Sequence, residues 1–204
     1  MARTRRYLAV SLIGLVSAAM LIQCAAGTKT AKIPIFADPG LFTLNIRTVT
    51  LLPVIDQRID KSHGINLEAD IGNKVEKELI KKRLTVIRAG AFSDTLDISN
   101  DEVAEMEPRE LAILGSSETQ YMLVVYLNDA SGKTALGYSF KIETTAILLN
   151  RQAANMLWKD KGVGSQGQGG LYGCLISGMV RGDAIRGCVA GMLASFPPAP
   201  FEGR

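Results

Sequence analysis

The sequence predicts an α+β domain in which helices pack on a mixed, mostly antiparallel sheet. Three patterns support this class. From residue 67 onwards, apolar side chains recur every four positions, the spacing of one helix face: Leu67, Ile71, Val75 and Leu79. From Leu136 to Leu148 apolar and polar residues alternate, which is typical of a strand with one buried face. The run Tyr121 to Leu127 is apolar throughout, as expected of a central strand covered on both faces.

The first half of the predicted domain alternates strands and helices. Thr48 to Ile55 is rich in β-branched residues and predicts a strand with Pro53 near its end. Asn66 is a suitable N-cap for the first helix, whose apolar stripe also includes Ile80. Leu84 to Arg88 predicts a second, short strand. A short helix then begins at Pro108 and is closed by Gly115.

The second half predicts an antiparallel meander. Asn128 to Thr134 is the turn after the central strand, and Asn150 with Arg151 begins the next turn. The return strand contains Trp158. Six glycines lie between Gly162 and Gly173, and this composition predicts a mobile connection. Two helices follow, Leu171 to Val180 and Ala184 to Phe196, the second with Asp183 as its N-cap.

The amino terminus has the pattern of a secretory signal. Arg3, Arg5 and Arg6 precede an apolar stretch that ends just before Cys24. Cys24 is the predicted lipidation site of a bacterial lipoprotein, although Gln23 departs from the small residue that usually stands before the cysteine. Two other interpretations stay open: an uncleaved membrane helix, and ordinary cleavage after Ala19.

All three interpretations place the folded part outside the cytoplasm. Ala25 after the cysteine favours the periplasmic face of the outer membrane, and the alternatives are a periplasmic protein or one anchored by the uncleaved helix. The whole chain has 23 Lys and Arg against 20 Asp and Glu, but residues 1–23 hold three arginines and no acid. The mature chain therefore carries 20 of each, and nothing indicates nucleic-acid binding.

These patterns divide the chain into four parts. Residues 1–23 form the signal peptide, and residues 24–45 form a lipidated tether with an extended lead-in segment. Residues 46–196 form a single α+β domain, and residues 197–204 form a proline-rich tail.

No catalytic motif has the required spacing. His63 is the single histidine and has no cysteine or second histidine near it for a zinc site. Ser165 lacks the first glycine of a nucleophile elbow, because Val163 stands in its place. We expect no cofactor and no metal. Cys174 and Cys188 remain as an even pair in an oxidising compartment, and a disulfide between them is one of two open interpretations.

Several strings resemble a group of bacterial envelope proteins. They are Thr50 to Val54, the segment from Gly115 to Val125, and Ala153 to Trp158. They resemble the corresponding segments of a fold shared by the TolB amino-terminal domain, the curli secretion lipoprotein CsgG and the lipoprotein activators of peptidoglycan synthases. The resemblance covers about residues 46–196 and implies an accessory role, either binding envelope proteins or assembling into secretion channels.

We therefore expect a non-enzymatic lipoprotein that binds or helps to assemble an envelope complex. Its expected partners are the lipid bilayer, through the acyl group on Cys24, and an envelope protein. That protein is either a different one or a second copy of this chain. The alternative is an oligomeric secretion-channel subunit. The charges of the hairpin from Leu136 to Lys161 argue against membrane-spanning strands. A secreted hydrolase that uses His63 is the third hypothesis.

Overall fold

The computed structural model describes residues 32–61, 66–90, 100–114 and 119–200. Within them, helices pack on both faces of a mixed sheet, which confirms the α+β class. The strands are β1 Phe36–Ala37, β2 Thr48–Leu51, β3 Ile55–Asp56, β4 Thr85–Arg88, β5 Tyr121–Lys133, β6 Gly137–Asn150 and β7 Asn155–Gly169. The helices are α1 Leu67–Lys81, α2 Asn100–Glu105, α3 Pro108–Leu111, α4 Gly170–Leu175 and α5 Ser177–Met192, with 3-10 turns at Leu41–Thr43 and Leu193–Ser195.

The long strands β5, β6 and β7 form the antiparallel meander, and they dominate the sheet. The strand order is β1-β7-β6-β5-β2-β4, with β3 also beside β5. β2 runs parallel to β4 and β5, and β3 runs parallel to β5. The predicted strand Thr48 to Ile55 is thus divided into β2 and β3. Pro53 lies in the interruption, where its missing N–H costs no ladder hydrogen bond.

Alternate residues of β5 belong to opposite faces of the sheet, and each face has its own core. Leu123, Val125 and Leu127 pack with α1 and α5. Met122, Val124 and Tyr126 pack with α2 and α3 on the other face. Because all six side chains are buried, the prediction of a central strand covered on both sides is confirmed.

Helix α1 follows the prediction closely. Leu67, Ile71, Val75 and Leu79 are fully buried. Ile80 is 55% exposed, so its inclusion in the stripe was wrong. One residue after Leu79 the side chain has rotated by about 100° around the helix and leaves the buried face. Asn66 stands at the N-cap position, but it adopts a left-handed conformation and its side chain makes no capping hydrogen bond.

The predicted turn Asn128 to Thr134 is wrong, because β5 continues to Lys133. A register shift after Leu127 marks a bulge, and pairing with β6 then resumes from Asp129 to Lys133. The polar residues that suggest a turn, Asp129, Ser131 and Lys133, share a face with their β6 partners Glu143, Lys141 and Ser139. The sequence pattern is therefore that of a strand with one polar face.

The predicted mobile connection is also wrong. Gly162, Gly164, Gly167 and Gly169 lie in β7 and pair with β6. A Cβ on Gly162 would overlap the carbonyl oxygen of Cys188, and one on Gly164 would overlap that of Ala184. We call these two residues the glycine seam. They permit α5 to lie directly against the backbone of β7, a close approach that no other residue allows.

The two terminal helices are divided differently from the prediction. The break occurs at Ile176, and α5 runs without interruption from Ser177 to Met192. Asp183 therefore lies inside the helix and is not its N-cap; its carboxylate is 3.3 Å from Arg186, one turn later. The predicted apolar face is confirmed, since all its members are buried: Ile185, Cys188, Val189, Met192, Leu193 and Phe196.

The compact unit begins at Lys32. Residues assigned to the lead-in segment therefore belong to the fold: β1 pairs with β7, and Leu41 is fully buried. At the other end, the backbone N–H of Ala199 donates to the carbonyl of Lys82, and Ala199 is buried. The domain thus extends beyond the predicted boundaries at residues 46 and 196.

Candidate functional site

Lys32, the first described residue, is fixed to the edge of the domain by all three of its ammonium protons. Its Nζ donates to the carbonyl of Lys161 at 2.5 Å and to the carbonyl of Gly191 at 2.9 Å. It also lies 2.8 Å from Oδ1 of Asp160, which is 1% exposed. Since an ammonium group has three donors, these contacts satisfy it completely. The contact joins the start of the described chain to both β7 and the end of α5.

Asp160 is the centre of this group, which we call the Lys32 clamp. Its Oδ1 also accepts a hydrogen bond from the backbone N–H of Lys161 at 2.7 Å, and its Oδ2 accepts one from Ser195 Oγ at 2.6 Å. Ser195 Oγ in turn accepts from Trp158 Nε1 at 3.1 Å. The Trp158 ring packs edge-on against Phe196, with 5.0 Å between the ring centroids. A buried charge with this many partners is stabilised, and removing one partner is costly.

Within the clamp, Ser195 links β7 to the turn that follows α5. Ser195 donates its proton to Asp160 and accepts one from Trp158, so its oxygen is held between two groups. What the clamp does is hold the chain segment that follows Cys24 at one fixed point of the fold.

A second feature is a group of exposed apolar side chains around the β5–β6 turn and α4, which we call the apolar end. Its members are Leu136, Leu171, Tyr172, Leu175 and Met179. Leu136 is 92% exposed, Leu171 87% and Leu175 83%. Large apolar side chains at such exposure usually mark a contact surface when they are grouped.

Backbone contacts bring these residues to one end of the molecule. The N–H of Gly170 donates to the carbonyl of Leu136 at 2.7 Å, which ties the start of α4 to the β5–β6 turn. Gly170 has φ of 70°, a conformation that glycine adopts without strain. Gly173 lies against the carbonyl of Gln168, where a Cβ would overlap the oxygen. Leu171 and Leu175, four residues apart, share the outer face of α4.

The two cysteines are not joined: both thiols are free, Cys174 exposed and Cys188 buried. The disulfide interpretation is therefore wrong for this structure. Cys188 points into the core, where its Sγ lies 3.2 Å from the hydroxyl of Thr144, which also contacts Met192 Sδ at 3.2 Å. Burial raises the pKa of the Cys188 thiol, and the hydrogen bond between Cys188 and Thr144 only partly offsets that effect.

The remaining candidate residues divide into two sets. Cys24 and His63 lie outside the described residues, as does Gly115, the predicted end of the short helix. Ser165 is exposed in β7 and pairs with Lys141. Among the described residues no group of three or more histidine, cysteine or acidic side chains is placed to hold a metal ion. None of the described helices combines the length and the apolar character needed to cross a bilayer.

Two further contacts join buried polar groups. Asp56 and Arg58 form a buried ion pair with Nε 2.9 Å from Oδ1. Burial acts to raise the pKa of Asp56, but the hydrogen bonds and charge of Arg58 outweigh it, so the pKa is lowered. The hydroxyls of Thr50 and Thr119 form a short hydrogen bond between β2 and the segment just before β5.

The sequence analysis did not predict the clamp, although the sequence of β7 indicates part of it. Trp158, Asp160 and Gly162 are alternate residues of one strand, so a buried Trp158 implies that Asp160 also faces the core. A carboxylate on a buried face requires a cation or several donors. The partner, Lys32, is 128 residues away in the sequence, and no local pattern connects the two.

No family model matches the chain, and no curated protein does. Solved structures with some similarity include bacterial lipoproteins. Lipoprotein GNA1162 from Neisseria meningitidis is 15% identical, with 66% of this chain and 95% of that chain covered and a TM-score of 0.47. The PelC dodecamer from Paraburkholderia phytofirmans is 13% identical, with 76% and 91% covered and a TM-score of 0.48.

The LpoB C-terminal domain from Salmonella enterica is 17% identical, with 62% of this chain and 86% of that chain covered and a TM-score of 0.39. Bacterial lipoproteins are thus among the structures that resemble this chain, as they are in the resemblance drawn from its sequence.

Proposed function

We propose that the chain is a lipid-anchored accessory protein of the bacterial envelope. In this proposal Cys24 carries the lipid, and the domain lies at the periplasmic face of the outer membrane. There it binds or helps to assemble other envelope proteins and catalyses no reaction.

The observation that carries the proposal is the Lys32 clamp. Lys32 follows Cys24 by eight positions and is fixed to β7 and α5 by three contacts. A protein held by a lipid needs its linker attached firmly to the fold, because the linker sets the position of the domain relative to the bilayer. A buried carboxylate with three donors is a strong attachment for that purpose.

Metabolic labelling with a palmitate analogue tests the anchor. We expect the native chain to be labelled and to sediment with the outer membrane, and Cys24→Ser to lose both properties. Ser17→Leu with Ala19→Leu is the matched variant, because it disrupts cleavage after Ala19 and leaves the cysteine in place. Equal labelling of the native chain and Cys24→Ser would contradict lipidation at this position.

In-cell crosslinking followed by mass spectrometry tests the accessory role. We expect a photo-crosslinking residue at exposed positions to capture a specific envelope protein. Size-exclusion chromatography of the mature protein, with and without detergent, separates an adaptor from the alternative channel subunit, since a stable ring would contradict the adaptor. His63→Ala should leave partner capture unchanged, whereas the hydrolase hypothesis requires loss of a hydrolytic activity.

A further inference from the structure

We propose that the apolar end is a second membrane contact, which inserts into the headgroup region of an anionic lipid surface. Its leucines, Tyr172 and Met179 are between 63% and 92% exposed. Exposed leucines with an aromatic residue are what interfacial membrane binders bury at the boundary of headgroups and acyl chains. The contact depends on the folded domain and is separate from the lipid on Cys24.

The charges around the apolar end complement anionic headgroups. Residues 130–142 and 164–182 contain Lys133, Lys141 and Arg181 and no acid, and the nearest acids in the sequence, Asp129, Glu143 and Asp183, lie just beyond these ranges. Lys133 closes β5 three residues before Leu136 and is exposed. Asp70 of α1 approaches this region, where its carboxylate is 3.9 Å from Arg181. Basic residues beside apolar ones add electrostatic attraction to the gain from apolar burial.

The linker length allows both attachments in the same leaflet. Lys32 contacts the carbonyl of Lys161, and Gly169 at the apolar end follows Lys161 by eight positions along β7. Eight strand residues span about 26 Å at roughly 3.3 Å each. The eight positions from Cys24 to Lys32 reach at most about 29 Å when fully extended. The two lengths match, so a lipid on Cys24 permits the apolar end to touch the same surface.

A second copy of the chain is the less favourable occupant. A two-fold contact would place the same patch on both subunits. Lys133 and Lys141 of the two copies would then approach one another with no carboxylate in these segments to neutralise them. Lipid phosphates carry the charge opposite to that of the lysines, and the glycerol region of the lipids can form hydrogen bonds with the hydroxyl of Tyr172.

The test uses a chain that begins at residue 24 and carries Cys24→Ser. The compact unit begins at Lys32 and its buried core at Leu41, so this chain retains the whole compact unit. It has no lipid, and its result is therefore independent of the proposed lipidation. The probes are vesicles of phosphatidylglycerol with phosphatidylethanolamine and vesicles of phosphatidylcholine alone.

Two measurements report binding. Flotation gives the bound fraction, and the rate of maleimide addition to Cys174 gives the local protection of the apolar end. Cys174 is exposed beside Tyr172 and Leu175, whereas Cys188 is buried. We expect binding to the anionic vesicles that weakens with salt, weaker binding to phosphatidylcholine, and slower labelling of Cys174 on the anionic vesicles.

The double variant Leu171→Ser, Leu175→Ser should bind the anionic vesicles at least about tenfold more weakly, because two apolar side chains no longer enter the membrane. Ile113→Ser is the matched control. Ile113 is 79% exposed, and the neighbouring carbonyl of Ala112 contacts Arg151 in the β6–β7 turn, at the opposite end of the meander. Both variants alter exposed side chains, and their circular dichroism should equal that of the unsubstituted chain.

Three results would overturn the proposal. The first is no flotation with anionic vesicles, and the second is equal binding of the double variant and the control. The third is a self-associated species that the double variant abolishes while vesicles leave Cys174 labelling unchanged, which would make the apolar end an interface between copies. Palmitate labelling of Cys24 is measured separately, so failure here leaves that result unaffected.

Discussion

The Cα of Gly164 faces the backbone carbonyl of Ala184 so closely that a methyl group on Gly164 would overlap the carbonyl oxygen. Gly162 has the same relationship with Cys188, one helical turn further along α5. The glycines of β7 therefore determine how near the longest C-terminal helix lies to the sheet. Composition alone suggests flexibility there, whereas the structure shows a close and ordered contact.

Gly164→Ala should destabilise the domain. The added methyl forces α5 away from β7 and loosens the packing of Cys188 and Met192. We expect the free energy of unfolding to fall by about 1 to 3 kcal/mol or more. Urea denaturation of the chain from residue 24 measures it. Gly187→Ala is the control, because its methyl group would meet no atom within 4 Å beyond the adjoining residues of its own helix, and alanine favours a helix by about 0.5 to 1 kcal/mol. Equal stability of both variants would contradict the glycine seam.

Lys32→Met should weaken the attachment of the N-terminal segment. It leaves the buried carboxylate of Asp160 without its cation but with Ser195 and the N–H of Lys161, and we expect a loss of about 1 to 3 kcal/mol. Chymotryptic cleavage at Phe36 should become faster as β1 is released. Lys81→Met is the control, since Lys81 pairs with Glu78 on the surface and such a pair contributes less than about 1 kcal/mol. Unchanged cleavage would show that the clamp does not hold the segment.

The two thiols should differ in reactivity. In the chain with Cys24→Ser we expect a thiol reagent to modify Cys174 rapidly in the native state and Cys188 only after unfolding. Burial and a raised pKa both suppress formation of the reactive thiolate at Cys188. Mass spectrometry of the modified protein counts the additions. A protein that takes up no reagent until it is reduced would instead contain the disulfide.

Tyr126 should contribute to unfolding in alkali. Burial raises its pKa from 10.0 to about 12, so the folded state favours the neutral phenol. The stability from this shift is present below pH 10 and is lost as the pH rises towards about 12, a change of about 2 to 3 kcal/mol. The free energy of unfolding of Tyr126→Phe should not fall by this amount between pH 10 and about 12. Tyr172→Phe, which changes an exposed tyrosine, should still show the fall. Urea midpoints across this pH range measure the difference.

Periodicity predicted the elements in which one face is buried. The four-residue stripe of α1 and the alternation of β6 are confirmed, because burial on one side directly produces those patterns. Phe140, Ile142, Thr144, Ala146 and Leu148 are all buried on the predicted face. Leu136 begins the same pattern but precedes β6 and is exposed, since alternation does not mark where a strand starts.

The errors arise where tertiary contacts decide the conformation. Polar residues after Leu127 indicate a turn locally, yet pairing with β6 continues the strand and places them on its open face. Glycines indicate flexibility locally, yet α5 requires them for close packing. The clamp joins Lys32 to Asp160, and only the folded sheet brings these two residues together. The apolar end is visible only once the exposure of Leu171 and Leu175 is known.

The Lys32 clamp also determines how the domain responds to mechanical force. Any pull on the chain from the side of Cys24 reaches Lys32 before it reaches the two-residue strand β1. The load then divides between Asp160 in β7 and the carbonyl of Gly191 in α5, two elements that the glycine seam already holds together. A short terminal strand alone would peel from its neighbour under tension. Here the force enters the contact between β7 and α5 directly, and β1 is shielded from it.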